Sequence, residues 1–496
     1  METMPYLPVI HGATLVIIEG STIRYCSLEK RVRWGIGRMA PGNTPDIPLK
    51  SPIAGRKHGI LEFSGGQWRY KDGGSLNGTF LNGQRLSGME NGPETSVALR
   101  NGDVLRIDYS DLTTPDSRGV LMLFLTDLIQ RPWAHYSMLD RKQVRIGRKE
   151  NCEIVLPLPY VSACHGEITE REGHYYLSDC GSRAGTWLNG ERIEQPVRLW
   201  EKDRISICDC HFIFTGSGLL YEPRNGEHSG GTSPGNVILR ADIKTKTVWD
   251  QSGHGKKELI RDVKLEVQSS QLVALLGGSG AGKTTVMNCI NGMDQNGVDG
   301  QVFYQEEDLY RNFERLKCLI GSVPQDNVLH EMLTVEQELR DAAVLRLPKD
   351  TESKEIQRQV SETLSALNLT QKRKTVIKKL SGGERKRVNI GIELVADREF
   401  LCLDEPDAGL DPLAKKELFL TLRKLAHEKG KSILVIIHDV SEIDLFDQII
   451  MMAKVDGVGR LAFAGPPAQA REHFGVKDLS ESYVVISKDP KRYIRG

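Results

Sequence analysis

The sequence has no excess charge of either sign. Lysine plus arginine number 66 and aspartate plus glutamate 66, so no net field draws the chain to nucleic acid or to an acidic membrane surface. It also lacks a long hydrophobic run. A membrane-spanning helix needs about 20 consecutive apolar residues, and the longest candidate, 119–129, contains Asp127 and alternates like a strand. Any membrane part of the system is therefore expected elsewhere. The amino terminus, with Glu2 and Pro5, lacks the basic-then-apolar pattern of a secretory leader. Nine cysteines, an odd number without framework spacing, argue for reduced thiols in the cytosol. Cys208, Cys210 and His211, with Cys164 and Cys180, lack the paired spacing of a zinc site, and strand alternation would put Cys208 and Cys210 on one buried face. What is present is a globular composition, 39% hydrophobic and 27% charged, over a length that suggests about three domains.

The stretch with the sharpest chemistry is Leu275-Leu276-Gly277-Gly278-Ser279-Gly280-Ala281-Gly282-Lys283-Thr284-Thr285. An apolar run reads as a buried strand, a glycine-rich loop follows, and apolar periodicity resumes at Val286. G-x-x-x-x-G-K-[ST] at a strand–helix turn is a phosphate-binding loop. Its glycines let backbone N–H groups close on phosphates at a helix N-terminus, Lys283 reaches the outer phosphates, and the Thr284 hydroxyl holds Mg²⁺.

The front half of the chain is written twice. Val32-Arg33-Trp34-Gly35-Ile36-Gly37-Arg38 recurs as Gln143-Val144-Arg145-Ile146-Gly147-Arg148, and Arg56-Lys57-His58-Gly59 as Ala163-Cys164-His165-Gly166. Gly74-Ser75-Leu76-Asn77-Gly78-Thr79 returns as Gly181-Ser182-Arg183-Ala184-Gly185-Thr186. The last two blocks repeat at an offset of 107 residues, the first at 110, which leaves three extra residues in a loop of the first copy. Short alternating runs broken by Asn-Gly and Gly-Gly turns predict two all-β sandwiches, and units of about 110 residues mean tandem domains rather than a solenoid.

The order Gly-Arg, Ser-x-x-His, Ser-x-Asn-Gly-Thr, Asn-Gly resembles the forkhead-associated (FHA) domain over about residues 10–216. The resemblance implies eleven-stranded sandwiches that bind phosphothreonine peptides at one end. The Gly-Arg arginine and a serine would hold the phosphate, an asparagine the peptide backbone, and the histidine would brace the loop. The first copy keeps Arg38, Arg56, His58 and Asn77 but has Gly55 in place of the phosphate-binding serine. The second keeps Arg148, Ser162 and His165 but has Ala163 for the second arginine and Ala184 for the asparagine. A hydrogen bond to a charged group is worth more than a neutral one, which favours the second copy as the phosphopeptide binder. The opposing reading has one or both sandwiches only packing against partners.

Residues 222–236, rich in Gly, Ser, Pro and Asn, read as a flexible linker. From Val237 the motifs follow in one order. Trp249, an aromatic before the phosphate loop, is placed to stack on adenine, with a core tryptophan as the rival reading. Gln325 follows a strand-like run. Charged helical sequence fills 334–373. Leu380-Ser381-Gly382-Gly383-Glu384 opens a helix with an S-x-x-E capping box, and Phe400–Glu405 is a buried strand ending in two carboxylates. Ile433–Ile437 is another buried strand, followed by His438.

This set resembles the nucleotide-binding domain of ABC ATPases from about 237 to 475. The resemblance implies that Lys283, Ser279 and the loop amides (Gly277 to Thr285) hold ATP, and that Thr284 and Gln325 ligate Mg²⁺ while Asp404 orients it through water. Glu405 would activate the attacking water and His438 would contact the γ-phosphate. Ser381, Gly382 and Gly383 would reach nucleotide on an opposite domain, so a second ATPase domain is required and a homodimer is expected. Glu384–Leu394 and Phe463-Ala464-Gly465-Pro466-Pro467 are similar to the "white" or G subfamily of exporters; Asp407-Ala408 departs from its usual Thr-Ser.

The expected architecture is thus multidomain. It comprises an FHA domain at 10–128, a second at 129–216, a linker at 217–236, an α/β P-loop ABC domain with a helical subdomain at 237–475, and a polar tail at 476–496. Two FHA units before such an ATPase resemble FHA-linked bacterial ABC transporters. Those continue into membrane helices, so the permease is expected on another chain, or this chain is a fragment. The implied function is a transport-coupled ATPase on the cytoplasmic face of a membrane, using ATP and Mg²⁺ and recruiting a Thr-phosphorylated protein or Ser/Thr kinase. No nucleic-acid partner is expected. A phospho-dependent scaffold ATPase uncoupled from transport is the alternative.

Overall fold

Short strands with one apolar face gain by pairing into sheets and stacking those faces together. A computed structural model shows this arrangement twice. It describes residues 13–494 except 20–21, 29–30, 83, 87–95, 101–102, 110–117, 126–133, 139–140, 217, 222–236, 250–254, 306 and 327–328. In the first unit a six-stranded sheet runs Thr22–Ser27, Thr14–Glu19, Val120–Leu125, Val104–Ile107, Thr79–Leu81, Gln84–Arg85. It faces a five-stranded sheet of Ile47–Leu49, Arg33–Arg38, Gly59–Ser64, Gln67–Asp72 and Ser96–Ala98. Leu15, Ile17, Ile36, Leu61, Leu105 and Phe124 fill the space between them.

The second unit repeats the six-plus-five plan, so each unit shows eleven strands among the described residues. One seat is filled differently. In the first unit the seat beside Val120–Leu125 belongs to the opening strand, Thr14–Glu19. In the second, the equivalent place beside Cys210–Phe214 belongs to the closing strand, Gly218–Tyr221, which also pairs with Ala134–Ser137. The sandwich therefore runs past the expected boundary at 216. Gly-Leu-Leu-Tyr is too short an apolar run, abutting too polar a stretch, to stand out as a strand. Cys208 also lies elsewhere than expected. It sits in the turn between Arg204–Ile207 and Cys210–Phe214 at φ 51°, so the two cysteines do not share a strand, although both are buried.

Period-two alternation gives each six-stranded sheet a second apolar face. Val16, Ile18, Leu121 and Leu123 of the first unit meet Ile213 and Leu220 of the second there. The core of the second unit is in turn continuous with that of the cassette. At that junction Tyr160 Oη donates to Asp209 at 3.2 Å, Tyr304 Oη donates to Glu399 at 3.1 Å, and Arg315 donates to the Cys208 carbonyl.

The cassette is built on a ten-stranded sheet. The long strands Val237–Trp249 and Lys256–Gln268 form its antiparallel wing. Its parallel part places Leu272–Gly277 between Gln448–Val455 and Ser432–Ile436, then Phe400–Asp404, then Ile320–Val323. These strands are buried almost throughout, as helices on both faces require. The helices Val335–Arg346 and Ser353–Ala366 pack on Gly382–Leu394 as the helical subdomain. Residues expected as a polar tail are instead docked: helix Ser480–Lys488 buries Ile486, and Tyr493 stacks on Phe474 at 5.3 Å.

Candidate functional site

Four parallel strands end at one edge of the sheet, where α/β folds place their ligands, and each supplies a part of the site. Leu272–Gly277 leads into the phosphate loop, Ile320–Val323 into Gln325, Phe400–Asp404 into Glu405, and Ser432–Ile436 into His438.

The loop needs glycine for steric reasons. At Gly277, φ is 150° and a Cβ would lie 2.6 Å from the Met452 carbonyl oxygen; at Gly282, φ is 87° and a Cβ would lie 2.5 Å from Ile260. Gly278, Ser279 and Gly280 face solvent, Ala281 packs inward, and Thr284 is exposed beside half-buried Thr285. Helix Lys283–Ile290 begins with no side-chain cap, so its first N–H groups are available to an anion. Lys283 is 7% exposed. Its ammonium donates to the carbonyls of Gly277 at 2.8 Å and Gly278 at 3.3 Å, and burial pulls its pKa down. A buried ammonium resting on neutral carbonyls is an incomplete arrangement that a phosphate would complete.

Thr284 Oγ1 lies 3.5 Å from Asp404, Gln325 Nε2 donates to Glu405 at 2.8 Å, and His438 Nε2 sits 2.6 Å from the other Glu405 oxygen. Burial first, and then the neighbouring charge of Glu405, push the Asp404 carboxyl up. Two adjacent carboxylates with a hydroxyl and an amide are the hard oxygen donors that suit Mg²⁺, and a divalent cation would relieve the strain on Asp404. The residues present fit that ion. Glu405 itself is left-handed at φ 46°, a conformation costing about 1–2 kcal/mol outside glycine, and this turn aims its carboxylate between Gln325 and His438.

The helix carrying Ser381, Gly382 and Gly383 begins as its sequence dictates. Ser381 Oγ accepts from Glu384 N at 3.3 Å and Glu384 accepts from Ser381 N at 2.9 Å. A Cβ at Gly382 or Gly383 would meet only ordinary contacts, at 3.5 and 3.4 Å. None of the described residues therefore demands glycine there. Trp249 is 74% exposed, with Lys256 Nζ 5.7 Å from its ring, so it is not a core residue.

Sequence reasoning missed three neighbours of the site. Lys386 Nζ donates to the Gln325 carbonyl at 2.7 Å, tying the signature helix to the Gln325 loop. Lys415 lies 2.5 Å from Asp439 and 3.7 Å from Asp407, so the departure at Asp407 has a cationic partner. Tyr483 Oη reaches the His438 carbonyl at 3.5 Å from the docked carboxy-terminal helix. Only the lysine of the signature helix carried any local signal, as part of the basic run Arg385-Lys386-Arg387.

The two sandwiches build the same arginine cradle. Arg38 Nε donates to Ala54 O at 3.2 Å, and Arg148 Nε to the equivalent Val161 O at 2.9 Å. His58 and His165 are buried and their pKa values are lowered by burial. Each accepts a loop N–H at Nδ1, from Gly55 at 3.0 Å and from Ser162 at 3.2 Å, and so braces the loop. Asn77 Nδ2 donates to Ile53 O at 2.8 Å, and Arg56 is exposed. Ser162 is buried, with its hydroxyl 3.3 Å from Arg183 N. Arg148, unlike Arg38, is turned onto the cassette, where it pairs with Glu355.

This fold and these sites define an ABC-type ATPase carrying two FHA sandwiches. The ABC transporter family model matches residues 260–408, and the FHA domain model matches 34–108 and 144–208. Residues 260–408 thus match the ABC transporter family, and the front half of the chain matches the FHA domain twice. The chain is 32% identical over 362 residues to the ABC transporter ATP-binding/permease protein Rv1747 of Mycobacterium tuberculosis, covering 73% of this chain and 40% of that one. It is 34% identical over 257 residues to ABC transporter G family member 21 of Arabidopsis thaliana, covering 48% of this chain and 37% of the other. The chain thus spans well under half the length of these relatives. A solved ATP binding subunit of an ABC transporter matches with a TM-score of 0.41 at 25% identity, over 50% of this chain and 99% of that one. Among the described residues no helix is long and apolar enough to cross a membrane.

Proposed function

We propose that this chain is the ATP-hydrolysing part of an ABC exporter, acting as a pair of cassettes against a membrane-spanning permease on the cytoplasmic face. The observation that carries the chemistry is the placement of Glu405 between Gln325 and His438, at 2.8 and 2.6 Å, beside Lys283 and Thr284. Glu405 accepts the proton of the attacking water as its oxygen bonds to the γ-phosphorus and the bond to the bridging oxygen breaks. Lys283 and the loop amides stabilise the charge on the phosphate oxygens, and His438 orients Glu405 and faces the γ-phosphate. Thr284 and Gln325, with Asp404 behind, would hold Mg²⁺, which would supply charge neutralisation on the phosphates. Trp249, which is exposed, stacks on the adenine. Ser381 and Gly382, which are exposed, and Gly383 behind them serve the nucleotide of the second cassette.

The first FHA unit recruits a Thr-phosphorylated protein through Arg38, Arg56 and Asn77. An arginine pair suits a dianionic phosphate, and Arg38 is not committed to a carboxylate among the described residues. Export rather than import follows from the likeness to the G subfamily.

The test is affinity capture of the chain from gently solubilised native membranes, with and without phosphatase. A co-purifying multispanning protein and a phosphatase-sensitive partner are expected. Recovery of soluble phosphoproteins alone would replace this reading with that of a scaffold ATPase.

A further inference from the structure

The arginine cradle of the second FHA unit already holds an anionic segment, and that segment belongs to the same chain. Arg148 pairs with Glu355, lies 3.8 Å from Asp350 and has Thr351 Oγ1 at 3.4 Å; its side chain is only 8% exposed. The backbone N–H of Ala163 donates to Asp350 Oδ2 at 2.7 Å, and Lys149 pairs with Glu352 at 2.7 Å. Arg183 donates to the carbonyls of Leu345 and, at 2.7 Å, Leu347, at the carboxy-terminal end of helix Val335–Arg346. We propose that the second FHA unit is a binding site for this acidic, unphosphorylated turn, 350–355, and holds it in cis as its resident ligand.

The chemistry of the turn fits the cradle. Carboxylate and phosphate present the same oxygen pairs to a guanidinium fork. Glu352 stands at the N-cap position of helix Ser353–Ala366, without a side-chain capping bond, and Glu355 lies in its first turn, positions where the helix itself favours negative charge. The carbonyls taken by Arg183 are at the opposite, electronegative end of the preceding helix, where a cation is favoured.

The departures of the second unit from the first follow the same pattern. Where the first unit has exposed Arg56, the second has Ala163, 8% exposed, whose amide Asp350 reaches without a competing side chain. Where the first has Leu76, 93% exposed, the second has Arg183, which grips the helix end. Substitutions that look like decay in a peptide-binding site are, in place, the contacts of an internal one. A tethered ligand also acts at an effective concentration on the order of millimolar, so a phosphopeptide in solution competes poorly for this cradle.

The consequence is mechanical. The turn joins the two helices of the helical subdomain, while the same sandwich grips the sheet side of the cassette through His211 on Glu307 at 3.0 Å and Arg315 on Cys208 O. The second unit thus bridges both halves of the ATPase.

The test is hydrogen exchange, followed by mass spectrometry, on the full chain and two variants, Arg148→Ala and the double variant Asp350→Ala with Glu355→Gln. Segments 160–165 and 347–356 are expected to exchange at least ~10-fold faster in both variants, with 277–285 unchanged. Wild-type exchange in both segments of the double variant would overturn the proposal. If Arg148→Ala unfolds the sandwich, seen as rapid exchange across 204–214, the double variant, which leaves the sandwich sequence intact, decides alone. This readout needs neither ATP turnover nor a permease, so it stands or falls separately from the transport function.

Discussion

Gly55 is the residue that most limits the first FHA cradle. It stands where a phosphate-binding serine belongs, yet its φ is not in the left-handed region and a Cβ there would approach nothing closer than 3.5 Å. A serine side chain therefore fits without moving the loop. A hydrogen bond to a charged phosphate is worth about 1.5–3 kcal/mol, or about 10- to 150-fold in affinity. Gly55→Ser should tighten binding of a phosphothreonine peptide taken from the captured partner by at least tenfold, read by titration calorimetry. Unchanged affinity would mean that the phosphate does not sit in this cradle. At this scale the phosphate loop was legible because a local backbone path dictates its residues: Gly277 and Gly282 admit no side chain. Lys415 and Tyr483 were not legible, since their partners Asp439 and His438 come from other elements.

At the scale of elements, the hairpin Arg204–Ile207 with Cys210–Phe214 meets Glu307 of the cassette through Arg204 and through a histidine, His211. His211 sits between Ser206 at 2.9 Å and Glu307 at 3.0 Å, and burial and then Arg204 push its pKa down to about 4. An unfolded histidine titrates near ~6.5. Between those values the unfolded chain holds a proton that the folded chain refuses, so stability is full above ~6.5 and is lost as the pH falls towards 4. His58 and His165, both lowered by burial, act in the same direction. From pH 7 to 5 the His211 contribution is up to about 2 kcal/mol. The thermal midpoint should fall over that interval, and His211→Gln should flatten the fall; an identical slope in the variant would remove His211 from the account. The Ser381–Glu384 capping box was readable in advance because its bonds span three residues. The strand Gly218–Tyr221 was not, because only its partners 134–137 and 210–214 make it a strand.

For the whole molecule, the helix start at 381–383 offers two exposed residues, Ser381 and Gly382, that no described residue covers closely. The proposed second cassette would cover them. Glu405→Gln should lower ATP turnover at least ~100-fold, the low end for loss of a general base. It should leave ATP binding intact, so that the variant accumulates as an ATP-dependent dimer in light scattering. Hydrolysis near the wild-type rate would dismiss Glu405 from its role, and a monomer at saturating ATP would dismiss the pairing.

The sequence by itself determined the tandem sandwiches, the cassette and the order of its motifs, because each depends on periodicity, a turn or a cap that neighbouring residues enforce. The tertiary structure alone decided which arginine cradle is filled by the chain's own carboxylates. Arg38 and Arg148 look alike in sequence, but Arg148 meets Asp350 and Glu355, some two hundred residues further along the chain. Contacts over such a separation leave no periodic trace. They exist only once both folds have placed their surfaces together.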